Sequence, residues 1–153
     1  MMVDSLAFRL LDTHVVAGRA DEPAWLGDGG PLTYAQLLHE SAAVAGGLKH
    51  LGVGAGDVVT LDLEGRDHVV ALLALVRLAA VPGPDGSVGI VGSADTPAVV
   101  RLPDDEVAWS VVRDLGRGDP AAALRTDPDG YEDRVAPEHA DVIEPLLRGE
   151  PLR

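Results

Sequence analysis

The stretch of residues 32–63 constrains the fold more than any other part of the chain. Thr33 and Gln36 match the T-x-x-Q capping box, in which the hydroxyl accepts a bond from the third helical N–H and the amide bonds back to the cap. Apolar residues then recur at helical spacing as far as Gly52, which is a typical helix end. Residues 58–63 have the composition of a buried strand, so the stretch predicts a capped helix, a glycine turn and a strand.

A second helix is predicted directly afterwards, and it is apolar on nearly every side. Residues 69–80 contain a single charge, Arg77, and Asp67 stands where a helix N-cap is expected. A helix of this kind has to be covered by the rest of the protein. The deepest core is therefore predicted to join this helix to apolar residues of the preceding stretch, namely Leu37, Leu48, Leu51, Val58, Val59 and Leu61.

The order strand, helix, strand predicts a right-handed βαβ crossover. Two shorter elements precede it: a helix that Ser5 can cap and Gly18 can end, and a hairpin whose strands flank the glycine-rich link at 27–30. These elements indicate an α/β fold class, with a small, partly parallel sheet, helices packed on it, and an N-terminal helix and hairpin.

Further elements are predicted after the crossover. Two short strands are expected at 87–91 and 98–102. A helix is predicted to begin at 103–106, where acidic side chains would suit the helix dipole, and to end at Gly116.

The character of the sequence changes after residue 116, because glycine, proline, aspartate and arginine replace the apolar repeats. We assign residues 1–116 to one subdomain and residues 117–153 to a loop-rich acidic tail packed on the same domain. Within the tail, residues 121–124 look helical and a short helix is predicted from Pro137. The buried face of that helix is predicted to consist of Val142, Ile143, Leu146 and Leu147.

The charge of the chain narrows the classes of partner. The formal net charge is −13, and the cations are eleven arginines and one lysine, Lys49. Such a protein repels polyanions, so we expect no nucleic-acid or membrane partner. The apolar run at 69–82 is also too short for a bilayer, which needs about 20 residues. With no cysteine and no basic segment before an apolar run at the start, the chain is expected to be cytoplasmic.

No metal or catalytic site is predicted. The five histidines lack the H-E-x-x-H spacing, and we expect each at the surface or boundary of a helix rather than on a metal ion: His14, His39, His50, His68 and His139. The glycine turn at 52–56 precedes a strand, whereas a dinucleotide fingerprint follows one. The acidic residues at 127–133 do not meet the frame of a calcium loop.

Six short matches occur in order along residues 23–84. They are residues 32–37 (LTYAQL), 47–48 (GL), 51–53 (LGV), 56–59 (GDVV), 70–74 (VALLA) and 80–82 (AVP). With these matches the segment resembles the N-terminal subdomain of the adenylate-forming superfamily, which comprises acyl-CoA synthetases, adenylation domains of peptide synthetases, and luciferase. The resemblance implies an α/β scaffold from an ATP-dependent acyl-activating enzyme, whose catalytic motifs lie in later segments that do not occur in these 153 residues.

One weaker match concerns the phosphate-binding loop of that family, which runs Ser-Gly-Thr-Thr-Gly-x-Pro-Lys-Gly. The resemblance makes Gly92, Ser93 and Thr96 the candidate cofactor-binding residues. However, Ala98 stands in place of the lysine, and Asp95 adds negative charge where phosphate would lie. The alternative is a polar turn between two strands. We therefore expect no cofactor, and ATP or AMP binding is disfavoured.

Three hypotheses about function follow from the resemblance. The favoured one is a truncated, non-catalytic remnant of an AMP-binding acyl-activating enzyme that acts through protein contacts or as a homo-oligomer. The second is one fragment of a split acyl-CoA synthetase, with a protein partner that covers exposed sheet. The third is a small-molecule module that binds a nucleotide or acyl group at 92–97.

Overall fold

The computed structural model describes residues 3–93 and 95–153. It begins with a helical segment that contains two π-helical stretches, Phe8–Asp12 and Val15–Arg19. Ser5 caps this segment as predicted, since its Oγ accepts a hydrogen bond at 3.3 Å from the N–H three residues further on. Of the apolar side chains that repeat along one face of the segment, Leu6, Leu10 and Leu11 are buried and Val15 is half-buried.

The predicted hairpin and capped helix are both confirmed. Strands β1 (Pro23–Trp25) and β2 (Leu32–Thr33) are antiparallel, and α1 (Tyr34–His50) follows them directly. The Thr33 Oγ1 accepts from the Gln36 N–H at 3.1 Å, and the Gln36 Oε1 accepts from the Thr33 N–H at 2.9 Å. Two otherwise unpaired backbone donors are satisfied in this way, which sets the start of the helix.

The rest of the fold is built on a five-stranded sheet. Its elements are β3 (Val58–Asp62), α2 (Gly65–Leu78), β4 (Val81–Pro82), β5 (Val88–Val91), β6 (Val99–Arg101), β7 (Glu106–Ala108) and α3 (Trp109–Arg117). The strand order is β4-β3-β5-β6-β7. β3 is parallel to β4 and β5, which confirms the βαβ crossover, while β5, β6 and β7 are antiparallel.

The two faces of this sheet differ in how far they are covered. Register and strand alternation place Val59, Ile90 and Val100 on one face, where all three are fully buried beneath the helices. Val91 and Val99 pair on the opposite face. Both are partly exposed and neither belongs to the hydrophobic core. The part of that second face beside the β5–β6 turn is therefore open.

Helix α2 is buried along its length from residue 69 onwards, as its sequence predicts. Arg77, the charged residue near the end of α2, is also buried. It forms an ion pair with Asp12, with 2.7 Å between the Arg77 Nη1 and the Asp12 Oδ1. The predicted cap is wrong: Glu64 occupies the N-cap position without a side-chain bond, and Asp67 lies within the first turn. Within the described part of the chain, no helix combines the length and the apolar content needed to cross a membrane.

The predicted core is correct for Leu37, Leu48 and Val59, which are fully buried, and wrong for Leu51, Val58 and Leu61, which are only half-buried. Successive strand residues point to opposite faces, so Val58 cannot share the buried face of Val59. Leu51 follows the last residue of α1, where the chain turns away from the helix.

The structure corrects the prediction that a helix begins at 103–106. The Leu102 N–H donates to the Asp105 carbonyl at 2.8 Å, which closes a tight turn, and residues 106–108 form β7 against β6. The helix α3 begins only at Trp109. Cross-strand hydrogen bonds therefore replace the predicted contact between acidic side chains and a helix dipole.

The segment after α3 is held by tertiary bonds rather than by local structure. Residues 121–124 are not helical, which corrects the prediction for them. Instead, the Ala121 N–H donates to the Ala42 carbonyl at 3.0 Å, and the Arg77 Nε donates to the Ala121 carbonyl at 2.9 Å. A short helix that the sequence analysis did not predict, α4 (Tyr131–Val135), follows further along.

The chain ends in a helix that packs beside the N-terminal elements. A 3₁₀ turn at Pro137–His139 leads into α5 (Ala140–Leu147), with Pro145 inside the helix. Val142, Ile143 and Leu146 are buried as predicted, but Leu147 is 37% exposed, so its placement on the buried face is wrong. Beyond the helix, Leu152 exchanges backbone hydrogen bonds of 2.7 Å with residues next to Trp25 on strand β1.

Candidate functional site

The predicted phosphate-loop residues all line one cavity of about 560 Å³. It lies beyond the carboxyl ends of β3 and β5, between the start of α2, the β1–β2 link and the β5–β6 turn. Ligands of α/β proteins bind at this edge of a parallel sheet, so the position favours a binding site. The structure thus brings Gly92, Ser93 and Thr96 together in the wall of this cavity.

The backbone amides of these residues are already occupied. The Gly92 N–H donates to the Asp62 carbonyl at 3.0 Å as part of the sheet. The Ser93 N–H donates to the Thr96 carbonyl at 3.0 Å, and the Thr96 N–H lies 3.3 Å and 3.2 Å from the carbonyl and hydroxyl oxygens of Ser93. A phosphate-binding loop needs amides that converge on the ligand. Here the same amides close a β-turn.

Gly92 also has a packing role. A Cβ added there would lie 2.8 Å from the Ala98 Cα on the facing strand, so a glycine allows the two strands to approach. Ala94, which belongs to the same predicted loop, lies outside the described residues. The assignment of Gly92, Ser93 and Thr96 to cofactor binding stays a prediction.

The charges that line the cavity are unfavourable for binding a nucleoside triphosphate. Asp28, Glu64 and Asp67 line it, and Arg66 is the one cation among the described residues of its wall. The Arg66 Nη1 donates to the Gly29 carbonyl at 2.7 Å, so this guanidinium is engaged with the β1–β2 link. Three carboxylates around one engaged cation repel phosphate oxygens rather than attract them.

A second cavity, of about 400 Å³, lies between α2, α5 and strand β1. Its wall is mainly apolar, with Trp25, Val69, Val142 and Leu152, and His68 lies at its edge. Burial lowers the pKa of His68, which favours the neutral imidazole. The sequence analysis missed this cavity, because the contact between β1 and the end of the chain spans more than a hundred residues.

A third cavity, of about 520 Å³, is lined by Asp4, Arg9 and the acidic segment 126–133. Within it, the Asp127 Oδ2 accepts a hydrogen bond from the Leu6 N–H at 2.8 Å, so this side chain caps the N-terminal helical segment from a distance. Burial raises the pKa of Asp127. No group of three His, Asp or Glu side chains among the described residues is arranged to hold a metal ion.

The histidines do not all lie where the sequence predicts. His14 is buried, and its Nε2 lies 2.7 Å from the Leu146 carbonyl oxygen on α5. His39 and His50 are exposed as expected. Long-range contact with α5 explains the difference, and no local pattern in the sequence signals it.

Comparison with known proteins gives one consistent relationship. A family model described as AMP-binding enzyme matches residues 12–84. The acetyl-coenzyme A synthetase of Rhodopirellula baltica is 38% identical over 86 residues, which cover 48% of this chain and 13% of that protein. The acetyl-coenzyme A synthetase of Streptomyces coelicolor is 31% identical over 147 residues, which cover 91% of this chain and 22% of that protein.

Among solved structures, a benzoate CoA ligase from Burkholderia xenovorans LB400 is similar to this chain with a TM-score of 0.47 and 26% identity. The match covers 52% of this chain and 16% of that one. The chain thus spans less than a quarter of the length of each of these relatives.

Proposed function

This chain carries a partial domain of the adenylate-forming (AMP-binding) superfamily, and we propose that it acts through protein contacts without binding or consuming ATP. Its described residues supply a scaffold layer of that fold: the βαβ crossover, the capped helix and the helices on one sheet face.

The observation that carries the proposal is the closed turn at the candidate phosphate loop. The amides of Gly92, Ser93 and Thr96 are satisfied within the sheet and the turn. Rotating them towards a phosphate would break hydrogen bonds that each contribute about 0.5–1.5 kcal/mol to stability. Ala98 offers no charge in compensation, and Asp95 is exposed on the same turn.

The open sheet face supports the second half of the proposal, action through protein contacts. Val91 and Val99 lie on it beside the β5–β6 turn, partly exposed and outside the core. Asp62 on β3 pairs with Val91, and Arg101 follows Val99 by two residues on β6; both are exposed, so charged side chains flank the two valines. Interfaces between proteins commonly have this arrangement.

Thermal melting with added ligands and adenylation assays test the first part of the proposal, that the protein neither binds nor consumes a nucleotide. A ligand that binds only the folded state at a hundred times its Kd would add about 2.7 kcal/mol to stability. We expect no change in melting temperature with Mg-ATP, AMP or acetyl-CoA, and no pyrophosphate release with acetate, benzoate or a fatty acid. An acetyl-CoA synthetase serves as the positive control. Pyrophosphate release, or a clear thermal shift with a nucleotide, contradicts this half and favours the ligand-binding hypothesis.

Analytical ultracentrifugation over a range of protein concentrations tests the second part of the proposal, that the protein acts through protein contacts. Val99→Asp places a charge on the open face, and Val16→Asp is the matched control, because Val16 is 78% exposed on the N-terminal helical segment. We expect self-association, or capture of a protein partner in a pull-down, to be lost in Val99→Asp and kept in Val16→Asp. A protein that stays monomeric and binds no partner contradicts this half.

The similarity to acetyl-coenzyme A synthetases supports a second candidate function. The 31% identity to the Streptomyces coelicolor protein extends over 91% of this chain, so the resemblance is not confined to one motif. The chain would then be one part of an acyl-CoA ligase, completed by other polypeptide segments. Mixing it with an acetyl-CoA synthetase that lacks the matching segment tests this candidate. Acetate-dependent pyrophosphate exchange in the mixture alone would support it, and inactivity of a well-folded mixture would count against it.

A further inference from the structure

The cavity of about 400 Å³ between α2, α5 and strand β1 (the α2–α5 cavity) has the size and lining of a small-molecule site. Its apolar wall comes from four parts of the chain and includes Trp25, Val69, Val142 and Leu152, each more than nine-tenths buried. Ligand sites of proteins span about 300–1,000 Å³ and are mainly apolar, with a few polar groups. A cavity of about 150 Å³ already holds benzene, so the α2–α5 cavity has room for one ring with a polar head group.

The aromatic side of this wall is held in place by the protein itself. The Trp25 Nε1 donates a hydrogen bond to the Asp28 carbonyl at 3.0 Å. Gly27 lets the β1–β2 link lie against the indole, because a Cβ at that position would overlap the ring. Leu152 is held on strand β1 by two backbone hydrogen bonds of 2.7 Å to the residues on either side of Trp25. A wall that is already ordered loses little conformational entropy on binding, which favours affinity.

The charges in the wall of the α2–α5 cavity balance, which distinguishes it from three larger cavities. Asp141 on α5 and Arg153 beside Leu152 supply one charge of each sign, and both side chains are exposed. Burial lowers the pKa of His68, the third ionisable group of the wall, so its neutral form is favoured. By contrast, the cavities of about 490, 520 and 560 Å³ each have more carboxylates than cations among their described wall residues.

The polar groups of the wall can bond to an uncharged head group. A neutral imidazole such as that of His68 has one N–H donor and one acceptor nitrogen. Asp141 supplies acceptors and Arg153 supplies donors. Pro145 lines the same wall and has no N–H, so the Asp141 carbonyl lacks the hydrogen bond that residue 145 would otherwise give it in a helix. A hydroxyl or an amide, which both donates and accepts, matches these groups.

We propose that the α2–α5 cavity binds a small uncharged molecule with one aromatic or branched aliphatic body and a hydroxyl or amide head group. The body packs against Trp25, Val69 and Val142, and the head group bonds to His68 and Asp141. None of the described wall residues belongs to the open sheet face, so this site is independent of the proposed protein contacts.

The same wall disfavours a charged ligand. Moving an ion from water into a mainly apolar cavity is costly unless an opposite charge compensates for the lost solvation. In this wall the attraction of a carboxylate to Arg153 is offset by repulsion from Asp141, and the reverse holds for an ammonium group. An uncharged head group loses less solvation and meets no repulsion.

Amide chemical shifts of the nitrogen-15-labelled full chain test the proposal with three probes that share one ring and differ in charge. The probes are benzamide, which is uncharged, and benzoate and benzylamine, which are charged at neutral pH. We expect benzamide to shift the amides of His68, Val69, Val142 and Leu152 saturably, and to bind several-fold more tightly than either charged probe at low ionic strength, where charge is least screened. The amides of β6, which does not line the cavity, should not shift.

Variants of the two exposed wall charges test the reason for the preference. Asp141→Asn should bring the affinity for benzoate close to that for benzamide, and Arg153→Gln should do the same for benzylamine. Glu144→Gln is the matched control, because Glu144 is exposed on α5 outside the described wall, and it should keep the preference for benzamide.

Four results would overturn the proposal. They are the absence of a saturable shift with benzamide, binding of a charged probe to the natural sequence as tight as that of benzamide, tighter binding of the zwitterion phenylalanine than of benzamide, and an unchanged preference in both charge variants.

Discussion

The buried ion pair between Arg77 and Asp12 gives the sharpest test of how the core is held together. Only 4% of the Arg77 side chain and 20% of the Asp12 side chain are exposed. Two guanidinium nitrogens reach the carboxylate, at 2.7 and 3.4 Å, and the Nε donates to the Ala121 carbonyl at 2.9 Å. The pair therefore joins the N-terminal helical segment, α2 and the tail after α3.

Asp12→Ala removes the counter-charge and leaves the guanidinium buried with one carbonyl partner. Breaking a buried pair on one side costs about 3–5 kcal/mol, because the remaining charge is neither solvated nor paired. We expect the free energy of unfolding to fall by about this amount. Replacing both members, with Arg77→Met and Asp12→Leu, removes the charge from the interior. The double variant should therefore recover most of the loss, even though it has no ion pair.

Urea denaturation followed by circular dichroism measures these differences from the midpoint and slope of each transition. The matched control is the exposed pair Arg101–Glu106, whose side chains are 63% and 55% exposed. Glu106→Ala should cost no more than about 1 kcal/mol, because water already solvates both charges. If Asp12→Ala costs no more than Glu106→Ala, water reaches Arg77 and the reasoning from burial is refuted.

Two further predictions concern packing, and urea denaturation measures both. Leu72→Ala should cost about 2–5 kcal/mol, since Leu72 is fully buried in α2. Leu147→Ala alters a side chain that is 37% exposed, so it should change the free energy of unfolding by no more than about 0.5 kcal/mol. Equal costs for Leu72→Ala and Leu147→Ala would contradict the placement of α2 in the core. Gly116→Ala should cost about 1–3 kcal/mol or more, because the new Cβ would meet the carbonyl oxygen of Ala43 on α1. Gly54→Ala, where nothing lies within 4 Å, should be tolerated, and a tolerated Gly116→Ala would show that the two helices can separate.

Local sequence patterns predicted the structure correctly where the determining contacts lie within one element or between neighbouring elements. The Thr33–Gln36 capping box needs only the first helical turn, and both of its hydrogen bonds are present. The apolar content of residues 69–78 predicts a covered helix, and the structure buries it. Strand, helix and strand in sequence predict the parallel crossover, because a connection of this kind has few alternatives.

Local patterns failed where a distant strand supplies the bonds. The acidic residues at 103–106 are typical of a helix start, but pairing of 106–108 with 99–101 outweighs that preference. Residues 121–124 have helix-forming composition, yet the Ala121 N–H bonds to Ala42 instead. Propensity contributes tenths of a kcal/mol per residue, whereas satisfying a buried backbone group is worth about 1–3 kcal/mol.

The candidate site also combines a feature that the local sequence predicts with one that depends on strand pairing. The order of residues at 92–98 resembles the phosphate-binding loop of the family, and the structure places this segment beside a cavity at the carboxyl ends of β3 and β5. Whether its amides face a ligand or each other cannot be read from residue types, because both arrangements use glycine, serine and threonine. The β5–β6 pairing decides it, since closing that hairpin turns the Ser93 and Thr96 amides inward.

The sequence by itself determined the α/β class, the capped helix, the buried crossover helix and the resemblance to part of the adenylate-forming superfamily. These depend on periodicity and on short matches in a constant order, which neighbouring residues encode. Only the tertiary structure decided which amides are occupied, which sheet face is open, and that His14 is buried against α5. Each of those features depends on a partner far away in the chain, and the position of that partner follows from the packing of the whole core.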